Sequence, residues 1–256
     1  MQDVPGREAK SGKCAIAVMA KAPQAGRVKT RLVPPLTPDQ AMQLSAAFLR
    51  DITENLARAG TAIDPWVAFA PAGGEAAFDG LLAAGTALLL ADGTPDMPAG
   101  VDGFGRSLLH AAQGLFARGY GAVCLLNADS PTLPTALLAQ AARRLAEPGE
   151  RVVLGPAEDG GYYLIGMQTA HGGLFADIAW STDSVAEQTR ARAAALGVPL
   201  VELAPWYDVD DHAALARLRR ELGGPQAATA PATAACMRRL GLLEASGVDA
   251  GGVDAG

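Results

Sequence analysis

"AVCLLNADSPTLP", residues 122–134, decides how the fold is read. Five consecutive apolar residues, Ala122 to Leu126, describe a strand covered on both faces, because a strand with one wet face would alternate polar and apolar positions. The run stops at Asn127, and Pro131 and Pro134 prevent a helix from starting at once. A bare carboxylate, Asp129, is therefore left where a buried strand ends.

Outward from that strand the same alternation repeats in both directions. "CAIAVMA" (14–20) is a second doubly covered strand, and a helix follows from Thr37, with Thr37 as N-cap, Pro38 at the first helical position and Gln40 completing a capping box. Leu44, Phe48, Ile52 and Leu56 recur every four residues as its apolar stripe, and Gly60 supplies the stop. Strands are expected at 66–70, 87–90, 151–155, 162–167 and about 199–203, with helices at 75–84, after the loop over 91–103 (Leu108, Leu109, Ala112 and Phe116 on one face), at 134–146, about 182–196 and about 211–222. Strands alternating with helices imply an α/β fold of three layers, α/β/α, on a mostly parallel mixed sheet. The expected organisation is a polar tail over 1–12, one α/β domain over 13–223, and over 224–256 a low-complexity linker ("GGPQAATAPATAA"), a short helix near "CMRRLGLLEA" and a disordered end.

The chain has 256 residues, half of them apolar, and a formal charge of −6. No basic stripe is present, which argues against a nucleic-acid partner, since a phosphate backbone demands clustered Lys and Arg. Cys14, Cys124 and Cys236 have no metal-site spacing and read as small core hydrophobes. No stretch reaches the length of a membrane span, and the polar N-terminus does not resemble a signal peptide, so the expected location is the cytoplasm. His110, His171 and His212 are scattered and read as structural or surface residues. The sequence carries no signature of oligomeric state.

In open α/β sheets ligands sit outside the carboxyl ends of the strands, and four polar clusters fall at such ends. "AKAPQAGRVKTRL" places Lys21, Arg27, Lys29 and Arg31 around Gly26. This reads either as a phosphate cradle or as a solvated basic loop, and it lacks the Walker A spacing. "NADSPTLP" offers Asp129 as an oxygen ligand for Mg²⁺ or Mn²⁺, or as a helix cap. "GPAEDGGYYLIG" puts Glu158 and Asp159 before Gly160-Gly161, where side chains are removed so that something can approach; a tight turn is the competing account. In "WYDVDD", Asp208 and Asp210 face one way in an extended segment, and Asp211 can cap the last helix.

These stretches, together with "AWSTDSVAEQT", resemble in order the motifs of the DUF2064 family, grouped with the glycosyltransferases of the GT-A-like nucleotide-diphospho-sugar transferase fold. The resemblance covers about residues 14–220; one departure is Asp211, where Thr is expected after "DVD". More distantly the chain is similar to guanylyltransferases of cofactor biosynthesis. The resemblance implies a metal-dependent transferase acting on a nucleotide-activated substrate, most directly a glycosyltransferase that takes a nucleotide sugar and a small-molecule acceptor. The alternatives are a nucleotidyltransferase that releases pyrophosphate from a nucleoside triphosphate, and a non-catalytic nucleotide-binding module. It implies Asp129, Asp208 and Asp210 as ligands of Mg²⁺ or Mn²⁺. Lys21, Gly26, Arg27, Lys29, Arg31, Gly160, Gly161 and Ser181 would contact the substrate or its phosphates, and Asp159 or Glu158 would be the general base.

Overall fold

The computed structural model describes residues 12–244. The tails expected before residue 12 and after residue 244 lie outside the described residues. Seven strands form one sheet: β1 (Cys14–Lys21), β2 (Ile63–Ala70), β3 (Ala87–Leu90), β4 (Ala122–Leu126), β5 (Val152–Pro156), β6 (Tyr162–Met167) and β7 (Leu200–Glu202). Six α-helices accompany them: α1 (Pro38–Arg58), α2 (Phe104–Phe116), α3 (Thr135–Ala146), α4 (Val185–Ala195), α5 (His212–Leu222) and α6 (Pro231–Arg239). The strand order is β3-β2-β1-β4-β6-β5-β7. β6 runs antiparallel to both β4 and β5, and every other pairing is parallel, as expected of a mostly parallel mixed sheet.

The continuous apolar run of β1 is explained by what covers it. Ile16, Val18 and Ala20 join the core shared with α1, α3, α5 and α6, whereas Ala15 and Ala17 join the core beneath α2. Helix α1 forms as its sequence dictates: the Thr37 hydroxyl accepts from the Gln40 N–H, and the Gln40 side chain accepts from the Thr37 N–H. Its stripe of Leu44, Phe48, Ile52 and Leu56 is buried to 3% exposure or less. Each such side chain contributes roughly 1.5–3 kcal/mol by leaving water.

From β1 the chain moves outward in one direction through β2 to β3, then returns to place β4 on the other side of β1. The strand order therefore reverses between β1 and β4, and a crevice opens outside their carboxyl ends. Lys21 ends β1 and Asn127 follows β4, so two of the four polar clusters border that crevice directly.

Three local expectations change. Residues 75–84 form only a short 3-10 turn at Glu75–Phe78. Helix α4 starts at Val185, after a loop that carries Ser181. The segment expected to be a linker is a 3-10 turn at Pro225–Thr229 leading into α6, whose Thr233, Ala234, Cys236 and Met237 are buried. The reason lies elsewhere in the chain: Asp51, 1% exposed on α1, accepts from the N–H groups of Ala232 (2.9 Å) and Thr233 (2.7 Å). A carboxylate from another helix thus fills the N-terminal donors that α6 cannot cap itself.

Candidate functional site

The crevice is a cleft of about 530 Å³. One wall is basic. Gly26 (φ 74°) and Lys29 (φ 49°) take left-handed backbone conformations, and the turn Thr30–Leu32 is pinned by the fully buried Leu32. The side chains of Lys21, Arg27 and Arg31 line the cleft. All three residues are exposed, and among the described residues these side chains make no hydrogen bond or ion pair.

The facing wall is acidic and tied together by the protein itself. Val209 N–H donates to the Asp129 carbonyl (2.9 Å), and the Ser130 hydroxyl donates to the Tyr207 carbonyl (2.9 Å). Asn127 N–H donates to the Tyr163 carbonyl (2.8 Å), anchoring the same loop to β6. Behind them the Arg217 guanidinium lies 3.7 Å from the Tyr207 ring centroid and bonds Glu158 (2.7 Å) and Glu221 (3.2 Å). The Tyr207 hydroxyl donates to Glu221 (2.5 Å). This cluster binds the loops after β4, β5 and β7 into one unit.

Lys29 belongs to the acidic wall in its contacts. Its ammonium lies 2.5 Å from an Asp129 carboxylate oxygen and 2.9 Å from one of Asp210, and it donates to the Val209 carbonyl at 2.8 Å. Its side chain is only 4% exposed, against 33% for Asp129 and 41% for Asp210. Burial pulls the Lys29 ammonium toward a lower pKa, but the two carboxylates outweigh it and the net direction is up. Lys29 therefore stays charged. Burial is the largest influence on Asp129 and pushes its carboxyl up; Lys29 pulls it back down, and the third of its surface open to the cleft screens both. Asp208 is pushed to about 7, first by burial and then by the charges of Asp159, Asp210 and Asp129.

The sequence-derived candidates thus divide. Lys21, Arg27, Lys29, Arg31, Asp129, Asp210 and Ser181 all line the cleft, although Lys29 faces carboxylates where phosphate was expected. Asp159 and Asp208 stand beside it, coupled through their charges, and Asp159 accepts from the Gly161 N–H (2.9 Å). Glu158, expected as a possible base, is instead paired with Arg217 and is absent from the cleft lining. At Gly160 the group that comes close is the protein: a Cβ there would lie 2.0 Å from the Asp183 carbonyl oxygen. Asp211 caps α5 by accepting from the Ala214 N–H (2.8 Å). Among the described residues no group of three or more His, Cys, Asp and Glu side chains is gathered closely enough to hold a metal by itself, so Asp129, Asp208 and Asp210 do not make a closed three-carboxylate cage. Phe104, Ser107, Leu108 and Tyr162, none of them a site candidate from the sequence, line the side of the cleft toward α2. Tyr207 and Arg217 also escaped it, because an aromatic and a helix-surface arginine carry no local pattern.

Comparisons with known proteins agree with this architecture. The family described as "Uncharacterized protein conserved in bacteria (DUF2064)" matches residues 53–182, about half of the chain. A crystal structure from Desulfovibrio desulfuricans G20, assigned as a nucleotide-diphospho-sugar transferase, is 28% identical with a TM-score of 0.74 over 90% of this chain and 95% of that one. CMP:2-keto-3-deoxy-manno-octonic acid synthetase, solved with CTP, shares the fold at 15% identity and a TM-score of 0.51 over 82% and 98% of the two chains. No curated protein matches the sequence. Among the described residues no helix is long and apolar enough to cross a membrane. With its seven-stranded sheet, its crevice at the β1/β4 reversal and the family match over residues 53–182, the chain belongs to the DUF2064 family and has the nucleotide-diphospho-sugar transferase fold.

Proposed function

We propose that this protein is a transferase that holds a nucleotide-activated donor by its phosphates in the β1/β4 cleft and passes a group from it to a small-molecule acceptor, with a nucleotide sugar as the donor. One observation carries the reading: three unpartnered cations, Lys21, Arg27 and Arg31, line a cleft at the carboxyl edge of the parallel strands and face a prearranged pair of carboxylates, Asp129 and Asp210. A charge-assisted contact from each cation would neutralise phosphate oxygens and bind the leaving group as charge develops on it. The assignment of the Desulfovibrio structure favours a nucleotide sugar.

The donor set suits Mg²⁺ or Mn²⁺. The Asp129 and Asp210 carboxylates offer hard oxygen ligands, and Mg²⁺ in particular takes one or two carboxylates and completes its shell with phosphate and water. Asp129 and Asp210 would hold the ion, with Asp208 beside them; when bound, it would supply positive charge to the departing phosphate oxygen. Asp159 is the candidate to take the acceptor's proton, since its carboxylate is exposed and free of any cation partner among the described residues. Held by the Gly161 N–H, it stays oriented rather than swinging freely.

A second reading has its own support. Three free cations suit the charge of a nucleoside triphosphate better than that of a diphosphate ester, which favours nucleotidyl transfer. Incubation with nucleotide sugars and with nucleoside triphosphates, with Mg²⁺ or Mn²⁺ and an acceptor panel, separates the two. Nucleoside diphosphate or monophosphate released from a nucleotide sugar supports glycosyl transfer, and pyrophosphate from a triphosphate supports nucleotidyl transfer. Binding of either donor without any turnover contradicts both and leaves a binding module.

A further inference from the structure

Lys29 is built unlike its basic neighbours. An ammonium has three N–H donors, and three protein oxygens surround this one: Asp129 Oδ1 at 2.5 Å, Val209 O at 2.8 Å and Asp210 Oδ1 at 2.9 Å. The side chain is 4% exposed, and Phe48 lies beneath it with its ring centroid 5.2 Å from Nζ. The left-handed backbone at Lys29 (φ 49°, ψ 37°) is uncommon for a residue with a Cβ, and it belongs to the one basic residue of the loop that is buried. Lys21, Arg27 and Arg31 remain at the surface of the same cleft without partners. With every donor filled and almost no surface free, Lys29 offers nothing to a phosphate in this arrangement.

We propose that Lys29 is a positioning residue that serves as a resident counter-ion: its ammonium draws the Asp129 and Asp210 carboxylates together and competes with a divalent cation for the same two oxygens. The inference rests on the reading that Asp129 and Asp210 receive such a cation. A divalent ion needs its carboxylate oxygens at about 2.0–2.1 Å for Mg²⁺, and an ammonium already in contact with both oxygens blocks that approach and repels the ion. The ammonium is buried, so it has to give way for the ion to reach full contact. Metal binding to the chain alone is therefore weak. A bound nucleotide supplies phosphate oxygens that can satisfy the displaced ammonium, so metal and nucleotide strengthen each other's binding, and the coupling is reciprocal.

The test is Mn²⁺ binding to the full chain without nucleotide, read from the loss of the free-ion paramagnetic resonance signal, and then repeated with CTP and with UDP-glucose as probes. Lys29→Gln, which keeps a hydrogen-bonding side chain without charge, and Lys29→Met are compared with Lys29→Arg and wild type; circular dichroism confirms that each is folded. Competition requires the neutral variants to bind Mn²⁺ about tenfold or more tightly than wild type, and Lys29→Arg to bind as weakly as wild type. A merely structural lysine gives the opposite sign, because its loss would scatter the carboxylates and weaken the ion. Neutral variants that bind Mn²⁺ equally or more weakly, while wild type binds it with a nucleotide present, overturn the competition and leave the metal reading standing. No Mn²⁺ bound by any of the chains, with either probe present, overturns both.

Discussion

The two walls of the cleft are made of opposite charges and are also finished to different degrees. The acidic wall is complete without a ligand: Asp129 and Asp210 meet on Lys29, Ser130 and Val209 tie two loops together, and Arg217 and Tyr207 brace them from behind. The basic wall is incomplete, since Lys21, Arg27 and Arg31 have no partner for their side chains among the described residues. A protein gains little from holding three like charges unpaired at one cleft, and in the function proposed above the missing counter-charge is the ligand's. The comparison teaches which residues answer to stability and which to binding.

The largest effect is expected where that division is crossed. Asp129→Ala removes the closest partner of a buried ammonium, and about 2–3 kcal/mol of stability should go with it, the low end for a broken buried pair because Asp129 is a third exposed. Urea denaturation measures this, and an unchanged midpoint would break the claim that the acidic wall is preassembled. Asp129→Asn, similar in size, should keep the fold and lose metal-dependent nucleotide binding.

Asp51 sharpens the contrast, because it is a buried carboxylate with satisfied contacts and no place at the cleft. Asp51→Ala leaves the N–H groups of Ala232 and Thr233 without their acceptor and should cost about 2 kcal/mol. Donor affinity measured calorimetrically should stay at the wild-type value. A drop in affinity equal to that of a cleft variant would show that stability and binding are not separable here.

A different kind of effect, read in pH rather than by deleting a partner, is expected at Asp208. Its carboxyl is pushed to about 7, by burial and then by neighbouring carboxylates, against 3.8 in its ordinary state. The folded chain therefore holds a proton at Asp208 that the unfolded chain has released across that range, so the contribution of Asp208 to stability falls as pH rises from about 4 to about 7. Thermal melts across this window should show Asp208→Asn losing less stability than wild type as pH rises. Parallel curves would mean that neither burial nor the neighbouring carboxylates shift Asp208.

Much of this was legible in the sequence. The doubly covered strands, the capping box at Thr37 and Gln40, and the placing of charged clusters at strand ends all follow from local pattern, and so does the resemblance carried by those clusters. What was not legible depends on distance along the chain. Lys29 meets Asp210 across 181 residues, so a loop that reads as uniformly basic contains one residue that serves the opposite wall. Asp51 caps α6 across a similar gap. The Ala-rich stretch after Gly223 therefore read as a linker leading to the short helix expected at "CMRRLGLLEA", although Pro231 was compatible with a helix that starts earlier. Gly160 shows the same limit in reverse, since a glycine read as room for a ligand is room for the backbone at Asp183.

The central claim is that the free cations of the basic wall bind phosphate, and calorimetric titration of nucleoside mono-, di- and triphosphates tests it most directly. Wild type should bind more tightly with each added phosphate. Arg31→Ala and Arg27→Ala should each weaken triphosphate binding by roughly 1.5–3 kcal/mol, about tenfold or more, and weaken the monophosphate less. Their denaturation midpoints should stay near wild type, because among the described residues these side chains make no hydrogen bond or ion pair. Lys13→Ala is the control, since Lys13 pairs with Asp64 at the far end of β1. Equal affinity across the phosphate series, or Arg31→Ala and Arg27→Ala binding like the Lys13 control, would contradict the account and reduce the loop to a solvated surface.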